Sequence, residues 1–258
     1  MYKVTQISKG FWSDAESDSA QQIRNLPKVL SYCQTFEKEV ITVTNCSSNL
    51  ETTLHAILAG YLEKKTGKPV HSIGSFKFIR LCEMRVESKS GIKAAPLELN
   101  LYHVFSDNVE GTAHFVLIDP NGQDVAYARF AYHTKSPHLE PAYVNLPFIA
   151  IDAIESKKRG AYALGTVLIQ AVFEYSLNTD CEGRVSLYST NKSGEFYFKL
   201  GFTPLKEPIF DKLYFKGEKN IDGEIMFLTD AANEAWRERA QVYPLIQPAF
   251  PNSIIKPF

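Results

Sequence analysis

Near the start of the chain, the spacing of apolar residues predicts a strand followed by a helix. The β-branched run EVITVT, which begins at Glu39, is typical of a strand. Ser48 and Glu51 then form a capping box, and Gly67 with Pro69 would end the helix. Between these signals, apolar residues recur every three or four positions and therefore share one helical face. They are Leu50, Leu54, Ile57, Leu58, Tyr61 and Leu62.

The middle of the chain alternates between apolar and polar residues, which predicts antiparallel strands. The segments SFKFIRLCEMRVES and PLELNLYHVF are two such strands, and the turn SKSGIKAA separates them. The next two, GTAHFVLID and DVAYARFAYH, flank the turn PNGQ, whose Asn121 and Gly122 tolerate the positive φ angles of a tight hairpin. A further strand, YVNLPFIAID, is predicted from Tyr143 to Asp152.

After this strand the period changes to that of a helix. In ALGTVLIQAVFEYSLN, an apolar face lies opposite Thr166, Gln170 and Glu174. The apolar face consists of Leu164, Val167, Leu168, Ala171, Val172 and Tyr175. GRVSLYS then predicts a short strand, NKSGEFYFKLG a short helix that ends at Gly201, GEIMFLTD a late strand and DAANEAWRERA a last helix.

This order of elements predicts an α/β fold. Its centre would be a mixed, mostly antiparallel sheet with helices on both faces. Residues 1–95 are predicted as an N-terminal flanking region, which forms either its own layer or part of the same sheet, and its first 37 residues show no strong period. Residues 96–230 would form the main domain, and residues 231–258 a C-terminal helix with a Pro-rich tail.

The composition of the 258 residues argues against several classes of function. Lys and Arg number 28 against 29 Asp and Glu, a net charge of -1, so no overall basic field would attract nucleic acid. Neither a signal-peptide pattern nor a run of the ~20 apolar residues that span a membrane is present, so no membrane association is expected and a cytoplasmic location is the default. The cysteines lack a paired framework or a metal-ligand spacing, so free thiols and no metal site are expected. They are Cys33, Cys46, Cys82 and Cys181.

The join between the strand FIAID and the next helix has the features of an anion site. Basic residues come first, and small residues then open the helix. In chain order these are Lys157, Lys158, Arg159, Gly160, Ala161, Ala163 and Gly165. Backbone N–H groups at a helix start bind phosphate oxygens, and small side chains let the anion approach the backbone. An ordinary strand-to-helix turn with a solvated basic run is the alternative explanation.

A second motif, FYFKLGF, spans Phe196 to Phe202. Together with the turn, it resembles the Gcn5-related N-acetyltransferase (GNAT) superfamily. The helix-opening motif of that family has the form Arg/Gln-x-x-Gly-x-Gly/Ala, and its later motif resembles Phe/Leu-Tyr-x-Lys-x-Gly-Phe. The resemblance covers roughly residues 110 to 230. Ala163 to Thr166 aligns with the small positions of the first motif, and an alignment on Arg159-Gly160 is the alternative.

The resemblance implies that acetyl-coenzyme A (acetyl-CoA) is the cofactor, with its pyrophosphate on the turn. Its pantetheine arm would pair with the strand edge from Phe148 to Asp152, where Ile149 and Ile151 would contact it. Asn191 resembles the asparagine that touches this arm in the family, and a plain helix cap is the alternative. The implied pyrophosphate ligands are Lys158, Arg159, Gly160, Ala161, Ala163, Gly165 and Thr166.

Tyr197 is the predicted general acid. In the family an amine attacks the thioester directly, and a phenol suits proton transfer to the departing thiolate because its pKa of about 10 keeps it protonated at neutral pH. Phe196 and Leu200 are expected to face the core and to leave Tyr197 on the adjoining face. The alternative for Tyr197 is a packed aromatic residue with its hydroxyl at the surface.

The predicted function is therefore an acetyl-CoA-dependent N-acetyltransferase that acts on a primary amine, either a small molecule or a peptide. Asp152 is the predicted general base, with Glu155, Glu140 or proton loss to water as alternatives. The protein would act as a monomer or homodimer. Two other functions remain open, namely a GNAT-fold binding or regulatory module with weak or no catalysis, and transfer of a longer acyl chain.

Overall fold

The computed structural model describes residues 19–26, 29–32, 41–42, 56, 76–106, 112–134, 143, 146–158, 160–190, 193–205 and 223–246. The strands are β1 (Val29–Tyr32), β2 (Ile41–Thr42), β3 (Phe76–Val86), β4 (Leu97–Ser106), β5 (Thr112–Ile118), β6 (Asp124–His133), β7 (Phe148–Ser156), β8 (Val185–Tyr188), β9 (Phe202–Pro204) and β10 (Ile225–Leu228). The helices are α1 (Leu164–Leu177), α2 (Gly194–Lys199) and α3 (Asp230–Val242), and residues 19–24 are also helical.

The strands form one sheet in the order β1-β3-β4-β5-β6-β7-β8-β10-β9, and β2 pairs with β3. Strands β7 and β8 run parallel, and the other described pairs are antiparallel. The predicted α/β fold with a mixed, mostly antiparallel central sheet is confirmed. Because β1, β2 and β3 belong to this sheet, the described strands of residues 1–95 are woven into it rather than forming a separate layer.

The hairpin of β5 and β6 forms where the sequence predicts it. Gly122 has a φ of 78° in the turn. The Asp119 carboxylate accepts hydrogen bonds from the backbone N–H groups of Asn121 and Gln123, both at 2.9 Å. These bonds satisfy turn donors that would otherwise face solvent, so the short polar segment fixes the register of two long strands.

Two predicted boundaries in this region are wrong. Strand β7 begins at Phe148 and continues to Ser156, whereas the sequence predicts it from Tyr143 to Asp152. Pro147 lies directly before the strand, and Tyr143 instead packs on Phe148 and donates its hydroxyl to the carbonyl oxygens of Val185 (3.0 Å) and Leu228 (3.2 Å). The sequence also misses β1 and the helical residues 19–24, and the helix predicted near Ser48 lies outside the described residues except for Ala56, which is helical.

Helix α1 packs on β5, β6, β7 and β8, and α3 packs on α1. The polar face of α1 is therefore buried, although the sequence places it opposite the core face: Thr166, Gln170 and Glu174 are 6%, 0% and 3% exposed. Gln170 Oε1 accepts a bond of 2.8 Å from Arg239 on α3, and Glu174 accepts the N–H groups of residues 245 and 246, both at 2.7 Å. These polar groups are tolerated in the interior because they hydrogen-bond to each other and to the following chain.

Candidate functional site

Strands β7 and β8 separate beyond a short paired segment. Their register joins Ile149 to Val185 and Ile151 to Leu187. Strand β8 then ends at Tyr188, while β7 continues to Ser156. Within the described part of the chain, no strand pairs with β7 on this side after Ile151. The predicted pantetheine edge, Phe148 to Asp152, therefore lies too early in the strand, because β8 already occupies most of it, and the edge left for a ligand is residues 152–156.

A β-bulge lies where the two strands separate. Phe130 on β6 pairs with Ile151 and Arg129 pairs with Ala153, so Asp152 is the extra residue. In a regular strand, residues three apart point to opposite faces, and an extra residue reverses that alternation. As a result Asp152 and Glu155 both point to the face that carries Arg129, and both contact side chains of β6.

A cavity of about 1030 Å³ opens at this separation. It contacts the bulge, the free edge of β7, the start of α1 and one face of α2. Eight of the residues predicted from the sequence line it, namely Ile151, Asp152, the alternative base Glu155, Gly160, Ala163, Gly165, Thr166 and Tyr197. Ile149, Lys158 and Ala161 are not among its lining residues. Arg159, Asn191 and the alternative base Glu140 lie outside the described residues.

The start of α1 offers backbone donors to the cavity. Ala163 at the N-cap gives no side-chain cap, and the first turn of the helix contains no acidic residue. At Gly165 a Cβ atom would lie 3.3 Å from the Phe196 ring, so a larger side chain would crowd the passage between α1 and α2. Gly160, with a φ of 94°, has open space within 4 Å of the point where a Cβ atom would lie. An uncapped, uncharged helix start with small residues fits a diphosphate such as that of CoA.

The basic residues of the turn are arranged differently from the sequence expectation. Lys157 points away and forms an ion pair of 2.7 Å with Asp124. Lys158 is exposed and does not line the cavity. The cavity is lined instead by Lys89, whose backbone N–H donates to the Ala161 carbonyl oxygen at 2.9 Å. Sequence reasoning missed Lys89 because it follows β3, far from the turn along the chain, and no local pattern marks it.

Tyr197 lies on α2 and is 8% exposed, with its ring against Phe196 and Phe202. Helix α2 ends before Gly201 and the chain re-enters the sheet at Phe202, as predicted. The expectation that Phe196 faces the core is wrong, since its side chain is 37% exposed while Leu200 is 3% exposed. In this helix of six residues, Tyr197 and Phe198 occupy the inward positions, and the Phe196 ring lies over the start of α1.

The sheet wall of the cavity carries two acidic groups with different partners. The Asp152 carboxylate is 3.4 Å from Nε of Arg129. The Tyr127 hydroxyl donates to Glu155 Oε2 at 3.2 Å. Burial, followed by the nearby Glu155 carboxylate, raises the pKa of Tyr127, which therefore stays protonated as a donor. Both carboxylates line the cavity, so Asp152 and Glu155 are each placed to accept a proton or a cation.

Two buried histidines predict a loss of stability in mild acid. Burial lowers the pKa of His103 to about 4, and burial with the nearby Arg129 lowers the pKa of His114 to about 3. An unfolded chain binds these protons near pH 6.5. Because the unfolded state therefore binds more protons between these values, the free energy of unfolding should be at its full value above pH 6.5 and fall as the pH drops toward 4.

Chemical denaturation at a series of pH values measures this effect. Each histidine should contribute up to ~1.4 kcal/mol per pH unit below 6.5. His114→Asn should make the decline shallower, because it removes one of the two buried imidazoles. A decline in the His114→Asn variant that is as steep as in the wild type would contradict the lowered pKa of His114.

Among the described residues, no helix is both long enough and apolar enough to cross a membrane.

No family model matches this chain, and no curated protein matches it. Solved structures that are similar to part of the chain include a bacterial toxin, with 18% identity over 49% of this chain and 72% of the toxin and a TM-score of 0.36. Gcn5 from Tetrahymena has 17% identity over 46% of this chain and 69% of its own, with a TM-score of 0.31. A third solved structure, of histone acetyltransferase HPA2 and related acetyltransferase from Corynebacterium glutamicum, has 17% identity over 45% of this chain and 63% of its own chain, with a TM-score of 0.30.

Proposed function

We propose that this protein is an acetyl-CoA-dependent N-acetyltransferase of the GNAT type, which transfers an acetyl group to a primary amine. The observation that supports this most strongly is that one cavity is lined by the separated edge of β7, the uncapped start of α1 and Tyr197. The first can pair with the amide groups of a pantetheine arm, the second can bind a diphosphate, and the third can donate a proton. The support comes from this geometry, because each solved structure above aligns with less than half of the chain.

In this proposal, the cofactor ligands differ partly from those expected from the sequence. Backbone N–H groups from Ala163 to Gly165 bind the diphosphate, because that of Thr166 already donates to the Ala163 carbonyl oxygen. Lys89 adds a positive charge beside the turn. Residues 152–156 pair with the pantetheine arm. When bound, acetyl-CoA supplies a thioester whose carbonyl carbon is attacked by the amine nitrogen, so that a C–N bond forms while the C–S bond breaks.

Two side chains would handle the protons of this reaction. Asp152, at the bulge and beside Arg129, accepts the proton that the attacking amine loses. Tyr197 donates its hydroxyl proton to the departing thiolate, since a phenol and a thiol have pKa values close enough for transfer in either direction. The Tyr197 side chain is nearly buried, so the donated proton comes from the phenol rather than from bulk water.

Ala163 allows a test that separates cofactor binding from folding. Ala163→Asp should cap α1 and raise the free energy of unfolding by ~0.5–1 kcal/mol, because the carboxylate accepts backbone N–H groups and favours the helix dipole. The same charge should repel a diphosphate. A thermal-shift titration with CoA should therefore stabilise the wild-type protein, by ~2.7 kcal/mol at a ligand concentration 100-fold above Kd, and leave the variant unchanged.

Ala163→Asn is the matched control, since asparagine caps a helix as well as aspartate but adds no charge. It should retain most of the shift caused by CoA. Two results would count against the proposal: no stabilisation of the wild type at millimolar CoA, or the same shift in the aspartate and asparagine variants. The first result would favour a binding or regulatory module with another ligand.

A further inference from the structure

The wall of the cavity opposite the start of α1 is formed by one face of the sheet and is rich in polar groups. The bulge at Asp152 places this residue and Glu155 on the same face, whereas an unbroken strand would separate them. Three residues of strand span about 10 Å, so the two carboxylates can hold two groups of one small molecule. The Tyr188 ring, 55% exposed at the end of β8, also lines this cavity.

The two carboxylates differ in net charge with their partners. Asp152 is beside the Arg129 guanidinium, so that pair is close to neutral. Glu155 is hydrogen-bonded by the neutral Tyr127 phenol, so this position keeps a full negative charge. Two lysines also line the cavity: Lys199 forms an ion pair with Glu195, and Lys89 lies beside the turn before α1. Asp124 and Lys157 form an ion pair with each other.

This difference matches the two ends of a particular class of amine. The nitrogen that attacks the thioester must be neutral. The Asp152–Arg129 pair has little net charge, so this end of the wall does not favour a bound ammonium group. The Glu155 end does, because its carboxylate is hydrogen-bonded by the neutral Tyr127 phenol and keeps its negative charge. A monoamine would not use the Glu155 carboxylate, whereas a second ammonium group would pair with it.

We propose that the acceptor is a short aliphatic diamine, with its reacting amine at Asp152 and its second, retained ammonium bound by Glu155 and Tyr127. This inference rests on the proposed function, since it concerns the acceptor end of the same cavity. The acetyl group goes to the neutral nitrogen, the proton lost there goes to Asp152, and the second ammonium keeps its proton throughout. Glu155 is thus a residue that determines acceptor specificity.

Three acceptors of the same chain length test the proposal: putrescine, n-butylamine and γ-aminobutyrate. They end in an ammonium, a methyl and a carboxylate group, respectively. The wild-type kcat/KM should be about tenfold or more higher for putrescine than for n-butylamine, because a hydrogen bond to a charged group contributes roughly that factor. Glu155→Gln should abolish this preference, because it lowers the putrescine value about tenfold more than the n-butylamine value. Tyr127→Phe should lower the preference for putrescine less than Glu155→Gln does, because the Glu155 carboxylate remains.

Calorimetric titration of putrescine into the CoA complex gives a second readout that does not depend on turnover. Glu98→Gln, at an exposed position of β4 outside the cavity, is the control and should match the wild type. Equal use of putrescine and n-butylamine, a preference for γ-aminobutyrate, or equal losses for all acceptors in the Glu155 variant would overturn the diamine assignment and leave the acetyltransferase proposal standing. If CoA binds but no amine is acetylated, both proposals fail.

Discussion

Replacing Tyr197 with phenylalanine is expected to lower kcat by about 100-fold or more, because a positioned general acid contributes roughly 10²–10⁴ to a proton-transfer step. The substitution removes one oxygen atom from a side chain that is 8% exposed and keeps the ring contacts with Phe196 and Phe202. The fold and the start of α1 should be unaffected. The Kd for CoA should therefore remain within about twofold of the wild-type value, so that the loss is in turnover and not in binding.

Steady-state kinetics and calorimetry on the same preparations measure the two quantities. Tyr132→Phe is the control, since that hydroxyl bonds to Asp180 at 2.9 Å and does not line the cavity. Tyr188→Phe tests whether another phenol of the cavity can donate instead. Full activity in the Tyr197 variant, or a larger loss in the Tyr188 variant, would show that Tyr197 is not the acid. A plot of log kcat against pH should also lose its alkaline decline in Tyr197→Phe if the phenol must be protonated.

The largest expected loss of stability comes from Gly201→Ala. Gly201 has a φ of 88°, and a Cβ atom there would lie 2.1 Å from Cβ of Ala232 on α3. The end of α2 cannot move aside easily, because Trp236 Nε1 donates to the Leu200 carbonyl oxygen at 3.1 Å. The left-handed backbone costs ~1–2 kcal/mol for alanine, and overpacking adds ~1–3 kcal/mol. We expect a loss of about 3 kcal/mol and a Tm lower by roughly 6–12 °C.

Two further variants separate these contributions. Gly91→Ala has a similar φ of 84° but no atom within 4 Å of the new Cβ, so it should lose only the ~1–2 kcal/mol of backbone strain. In an Ala232→Gly background, the cost of Gly201→Ala should fall to the same level because the nearest remaining atoms are 3.5 Å away. Denaturant unfolding of the wild type, Gly201→Ala, Ala232→Gly and the double variant gives the coupling energy between the two positions. A coupling energy near zero would contradict the contact between α2 and α3.

The sequence predicted the parts of the fold whose causes are local. The Asn-Gly turn specifies the β5–β6 hairpin, and the period of apolar residues specifies α1, because both signals act between neighbouring residues. Strand β1 pairs with β3 across a large separation in the chain, and its four residues have no period of their own. Such pairing depends on a partner that the local pattern cannot show.

The site was predicted less completely for the same reason. Tyr197 and the start of α1 were predicted as site residues because they belong to short motifs, and both line one cavity. The bulge that brings Asp152 and Glu155 to one face depends on the register between β6 and β7, and an alternating pattern predicts the opposite arrangement. Lys89 reaches the turn through a backbone hydrogen bond between distant segments. Each of these features arises from tertiary pairing and not from spacing.

A crystal structure of the protein with CoA tests the central claim most directly. We expect the pantetheine arm along residues 152–156, the diphosphate at the N–H groups of Ala163 to Gly165, and the thiol within hydrogen-bonding distance of the Tyr197 hydroxyl. CoA bound at another surface, or a thiol on the far side of β7 from Tyr197, would contradict the proposed acetyltransferase site.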